Sequence, residues 1–104
     1  MIAVVGCGKL GLPLAPLLAE SGQKVMGVDT NPDLLDSLKR GVPQHHEPHL
    51  AEMLAEWGPS IDWRSDVADA AVADLVFVVV PTPSLPSGAF DVSLVASVVS
   101  TVVH

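Results

Sequence analysis

Ile2-Ala3-Val4-Val5-Gly6-Cys7-Gly8-Lys9-Leu10-Gly11 decides the fold: an apolar run enters G-x-G-x-x-G, and a second apolar run, Lys24-Val25-Met26-Gly27-Val28, closes on Asp29. The glycine pattern alone is short and common. It gains meaning from its setting between a strand and a helix, with a second strand and a carboxylate beyond. Gly6 allows the sharp turn off the first strand, Gly8 lets the backbone approach a pyrophosphate, and Gly11 lets the helix lie close to the sheet. The first amides of that helix are unpaired and carry the positive end of its dipole, so they bind phosphate without help from Lys9. The 18 residues from Gly11 to Asp29 suit a carboxylate that accepts hydrogen bonds from an adenosine ribose. The same charge repels a 2′-phosphate, which favours NAD over NADP.

Working outward, Leu10, Leu14, Leu17 and Leu18 recur at helical spacing up to Gly22, a residue suited to a helix C-terminus. Pro13 and Pro16 lie inside this stretch, and the hydrogen bond forfeited at Pro16 predicts a bent or irregular opening. Asn31-Pro32-Asp33 supplies a cap, a proline at the first helical position and an early negative charge for a helix that runs to Lys39-Arg40 and stops at Gly41. Glu47 to Trp57 predicts an amphipathic helix with Leu50, Met53, Leu54 and Trp57 on one face, ended by Gly58-Pro59. Ile61-Asp62-Trp63 reads as a short strand, and Ser65-Asp66 caps a short helix over Val67 to Ala71. Leu75-Val76-Phe77-Val78-Val79-Val80 is the strongest strand, and its unbroken apolarity predicts burial on both faces. A loop from Pro81 to Gly88 follows, and Asp91 opens a last apolar helix.

This alternation predicts an α/β fold, a Rossmann-like doubly wound parallel sheet with the first strand and the Leu75 to Val80 strand at its centre. In the order 3-2-1-4-5-6 the chain supplies about four strands, a truncated set that leaves Leu75 to Val80 on an open edge. Proteins normally avoid such an edge, so the reading expects an N-terminal piece of something longer, or pairing with another chain.

At 104 residues the chain is one domain, small for two mononucleotide-binding halves. Hydrophobic residues make up 49% and charged ones 16%, with a mean hydropathy of +0.47, so part of the surface is expected to meet a partner. The net charge of −7 argues against nucleic acid and anionic membrane as targets. The single cysteine excludes an internal disulfide and points to a reducing, cytoplasmic setting. No apolar run is long enough to span a bilayer, and Met1 to Val5 lacks the basic flank and cleavage site of a signal peptide.

Several local sequences together resemble one family, the nucleotide-sugar dehydrogenases, in their N-terminal NAD-binding domain. They are Gly6-Cys7-Gly8-Lys9-Leu10-Gly11-Leu12-Pro13-Leu14-Ala15, Val28-Asp29, Glu47-Pro48 followed by Leu50, Arg64-Ser65-Asp66 and Val80-Pro81-Thr82-Pro83-Ser84. The resemblance covers nearly the whole chain, residues 1–104, as that domain or a fragment of it, with the catalytic and substrate domains absent. It implies an enzyme that oxidises UDP-glucose, GDP-mannose or a UDP-N-acetyl sugar at C6, as in polysaccharide biosynthesis. Two successive hydride transfers to NAD would pass through a thiohemiacetal and a thioester on a cysteine located beyond residue 104. It further implies that Gly8, Lys9 and Leu10 face the pyrophosphate through backbone amides and that Asp29 holds the ribose. Ser65, where the family usually has Thr, would contact the cofactor. Thr82 would lie beside the nicotinamide in a supporting role, on a loop stiffened by Pro81 and Pro83. The sequence departs from the family at Lys9, where an aromatic residue is frequent, and at His46 and His49, where Tyr and Gly are usual. By this reading the chain alone is inactive, and the sugar nucleotide binds only the full-length protein.

Two other features compete for function. His45-His46-Glu47-Pro48-His49 could hold zinc or nickel, but Pro48 interrupts the helix that an i, i+4 histidine pair needs, so a solvated loop is expected and no metal. Cys7 lies inside the turn, where a helix N-terminus could lower its pKa, yet a small buried residue is the expected role. The alternative reading of the whole chain is a non-catalytic NAD-binding or interaction module. A homo-oligomer or another partner would then cover its sheet edge.

Overall fold

The computed structural model describes residues 1–7, 11–41, 49–80, 85–87 and 93–103. Its strands are β1 (Ile2–Val5), β2 (Val25–Val28), β3 (Asp62–Arg64) and β4 (Leu75–Val78), all parallel in the order β3-β2-β1-β4. The helices are α1 (Gly11–Glu20), α2 (Pro32–Lys39), α3 (Leu50–Trp57) and α4 (Ser93–Val102), with 3-10 turns at Gly58–Ser60 and Val67–Val72. This is the doubly wound, Rossmann-like sheet expected, with β4 on the edge.

Strand periodicity splits the core. Val4 and Val25 point to one face, where Leu12 and Ala15 of α1, Leu34, Leu35 and Leu38 of α2, and Leu50 and Leu54 of α3 pack with Trp63. Ala3, Val5, Met26 and Val28 point to the other, against Ala70 and Val98 of α4. The residue opposite Val4 on β2 is Gly27, and opposite Gly27 on β3 is Trp63.

Local signals set the element ends. Asn31 Oδ1 accepts from the amides of Asp33 and Leu34 at 3.1 and 3.2 Å, and Pro32 follows in the first turn. After α1, Gly22 adopts φ +95; its amide bonds Ala19 O at 3.0 Å and that of Gln23 bonds Leu18 O at 3.3 Å. These paired bonds form a Schellman closure, which satisfies carbonyls the helix leaves over.

Three expectations change. α1 runs uninterrupted through Pro16, so the irregular opening does not form in its described residues. Pro13 falls in the first turn, where no amide is needed, and the fully buried Pro16 packs in the core while losing one bond. The helix expected from Glu47 begins at Leu50, because His49 has φ 65 and cannot continue a right-handed helix; Glu47 and Pro48 lie outside the described residues. β4 is not buried on both faces. Val76 and Val78 pack on the α4 side, but Leu75 and Phe77 are 50% and 36% exposed. No described helix lies over β4 on the α1 side, so a continuous apolar run did not mean cover on both faces. Asp91, the expected start of the last helix, lies outside the described residues.

Candidate functional site

The carboxyl ends of the parallel strands share one edge, and the glycine turn is built there. Gly6 has φ +96, and a Cβ on it would lie 2.1 Å from Val79 O, so neither the conformation nor the space admits a side chain. Its amide extends the ladder to Val28 O at 2.8 Å, while Val79 N–H bonds Val5 O at 2.8 Å. Gly6 therefore lies directly against the exit of β4. α1, which begins at Gly11, has no acidic residue in its first turn to compete with an anion at its amino end.

Asp29 follows β2 at the same edge and is half-buried. One carboxylate oxygen accepts the Cys7 amide and the other the Asn31 amide, each at 2.9 Å. Its own amide donates to Arg64 O at 3.1 Å, which brings the exit of β3 and the exposed Ser65 alongside. A carboxylate offers about four acceptor positions, so these two bonds orient Asp29 and leave capacity for two hydroxyl donors. Among the described residues no cation lies within ion-pair distance of it. The nearby Arg64 is committed elsewhere, to Asp62 at 2.8 Å and Asp69 at 3.6 Å, and its hydrogen bonds hold the Asp62 carboxyl below the usual range.

Cys7 is fully buried, with Sγ 3.6 Å from Val28 O and 3.8 Å from Val4 O. Burial first, and the charge of Asp29 second, push its thiol up to about 12 against the opposing hydrogen bond to Val28. A helix N-terminus does not lower it, because the sulfur points into the core. This is a packing cysteine, not a nucleophile.

The structure thus brings Gly6, Gly11, Asp29 and Ser65 to one edge. Gly8, Lys9, Leu10, Pro81 and Thr82 lie outside the described residues, as do His45 and His46. His49 is exposed, with Nδ1 3.4 Å from Glu52 Oε2, and the described residues contain no cluster able to hold a metal ion. No described helix is long and apolar enough to cross a membrane.

Two features escaped the sequence reading. One is the bond from the Cys7 amide to Asp29, which ties the turn to β2. The other is Gly27, where a Cβ would lie 2.5 Å from the Trp63 ring and 3.4 Å from Cys7 Sγ. The available signal was a glycine inside an apolar strand, a usual mark of close approach by another group.

A glycine at φ +96 with no space for a side chain, a helix amino end without an acidic residue and an oriented carboxylate fit a dinucleotide with pyrophosphate and ribose groups. Comparison with known proteins agrees. The chain is 33% identical over 91 residues to a UDP-glucose 6-dehydrogenase of Haloferax volcanii, covering 86% of this chain and 21% of that protein. It is 34% identical to a UDP-N-acetyl-D-mannosamine dehydrogenase of Methanococcus maripaludis, covering 97% and 24%. A UDP-glucose dehydrogenase structure from Pyrobaculum islandicum superposes with a TM-score of 0.91 at 31% identity, over 97% of this chain and 24% of that one. The chain therefore spans between a fifth and a quarter of the length of these relatives. The model of the UDP-glucose/GDP-mannose dehydrogenase family, NAD binding domain, matches residues 1–104, and the chain belongs to that family.

Proposed function

We propose that the chain is the NAD-binding portion of a nucleotide-sugar 6-dehydrogenase. Its relatives' names support the class of substrate, UDP-glucose, GDP-mannose or a UDP-N-acetyl sugar. NAD, when bound, supplies the hydride acceptor for the oxidation of C6. The chain's own residues bind and orient. Gly6 and Gly11 shape the turn, and the amides of Gly8, Lys9 and Leu10 take the pyrophosphate. Asp29 accepts the ribose hydroxyls, Ser65 closes the same edge, and Pro81 and Thr82 serve the nicotinamide end. The nucleophilic cysteine belongs to a further domain of a longer polypeptide, so residues 1–104 alone turn over no nucleotide sugar.

The observation that carries this reading is the Asp29 carboxylate, fixed by the Cys7 and Asn31 amides at 2.9 Å with acceptor positions to spare. Calorimetry should show NAD bound in preference to NADP, and Asp29→Ala should weaken NAD by about tenfold, the scale of one lost hydrogen bond to a charged group. Equal affinity for NADP, or unchanged NAD affinity in Asp29→Ala, would remove Asp29 from the site. Production of NADH from UDP-glucose by the 104-residue chain would refute the division of labour between domains.

A second reading, a non-catalytic NAD-binding module whose partner covers the sheet edge, draws on the exposure of Leu75 and Phe77. An encoded downstream α/β domain with Cys and Lys would favour the enzyme. A natural stop after His104 would favour the module.

A further inference from the structure

Cys7, in the middle of the turn, is held at two points. Its N–H donates to Asp29 Oδ2 at 2.9 Å, and its thiol is fully buried under the turn. β2 carries no side chain at position 27, which leaves room for the Trp63 ring beside the thiol. A Cβ there would stand 2.5 Å from Cε3 and Cζ3 of Trp63, where it could not fit, and at an ordinary 3.4 Å from Cys7 Sγ, so ring and sulfur border the same position. Trp63 cannot simply retreat. It is 8% exposed, and its Nε1 donates to Gly58 O at 3.2 Å, which fixes the ring to the 3-10 turn before β3.

We propose that Trp63 is a positioning residue for the cofactor's phosphate turn: reaching across the gap at Gly27, its ring holds Cys7 in place, and Cys7 in turn keeps the amide bonded to Asp29. This rests on the NAD reading above. β3 forms no ladder with β1, so the contact is how the third strand of the sheet sets a turn on the other side of β2. Close-packed interiors transmit such displacements, and a binding constellation tolerates only about 0.5 Å of them.

The test is amide hydrogen exchange in the full chain, with the Gly6 amide, bonded to Val28 O at 2.8 Å, as internal reference. Trp63→Leu should raise exchange at Cys7 about tenfold relative to Gly6, and Trp63→Phe, which keeps a ring over Gly27, should restore it. In parallel, Trp63→Leu should weaken NAD about tenfold and adenosine, which keeps the ribose but lacks the pyrophosphate, by clearly less. Should Trp63→Leu fail to fold, Cys7→Ala must give the same selective loss at residue 7. Equal acceleration of both amides, no change at residue 7, or equal weakening of NAD and adenosine would reduce Trp63 to a core residue and overturn the proposal. Absence of NAD binding by the unsubstituted chain would overturn the cofactor reading, while the exchange ratio would still decide for or against Trp63.

Discussion

At the scale of single residues, Cys7 carries a pH dependence that its neighbours make visible. Its thiol is raised from an ordinary 9.0 to about 12, chiefly by burial. The unfolded chain therefore loses this proton at lower pH than the folded one. Stability from this residue is complete below about pH 9 and falls as pH rises toward 12, by up to ~1.4 kcal/mol per pH unit. Tyrosine, which titrates in the same range, does not occur in the chain. Urea unfolding between pH 8.5 and 11 should show this decline in the natural sequence and a flatter profile in Cys7→Ala. Matching slopes would show that the thiol titrates alike in the folded and unfolded chain, and that burial does not raise it. The buried character of Cys7 could be read from its type and place, but the direction of its pKa could not. Position in sequence puts it near a helix amino end, and only the side-chain rotamer decides whether sulfur meets amides or core.

At the scale of elements, features decided within one turn of chain were legible. Asn31 caps α2 with two bonds, and Asn31→Ala should lower stability by about 1 kcal/mol, seen as a reduced urea midpoint with unchanged slope. An undiminished midpoint would mean that α2 is held by Leu34, Leu35 and Leu38 alone. Gly6, Gly22 and Gly41 all take the positive φ that their places after β1, α1 and α2 suggested. Features decided between elements were not legible. Apolarity from Leu75 to Val80 reports strand propensity, whereas burial depends on which helices arrive, and α4 covers only one face. The start of α3 was misplaced because His49 adopts a left-handed conformation that its residue type does not announce. The candidate site divides the same way: Gly6 and Asp29 were visible from spacing, while the Cys7 tether to Asp29 and the contact at Gly27 exist only once three strands lie side by side.

At the scale of the whole molecule, that uncovered face governs solution behaviour. Leu75 and Phe77 alternate along β4 on the side of the sheet packed by α1, and Leu17 of α1 is itself 51% exposed. Leu17 lies about 100° around the helix from Pro16, which is buried, and as far on the other side from Leu18, which packs partly into the core. An edge strand with an exposed apolar face is a template for another strand. The net charge of −7 opposes such contact through mutual repulsion, and salt screens that repulsion. Association of the chain should therefore strengthen between 0.05 and 0.5 M NaCl, roughly from a Debye length beyond 10 Å to one below 5 Å. Leu75→Thr with Phe77→Thr places β-branched residues on the strand and removes the apolar face, at a stability change of about 1 kcal/mol for partly exposed positions. In sedimentation velocity the double variant should stay monomeric at concentrations about tenfold above those where the natural sequence associates. Equal association of the two would place the contact elsewhere, and weaker association at high salt would show that charge, not this apolar edge, drives it.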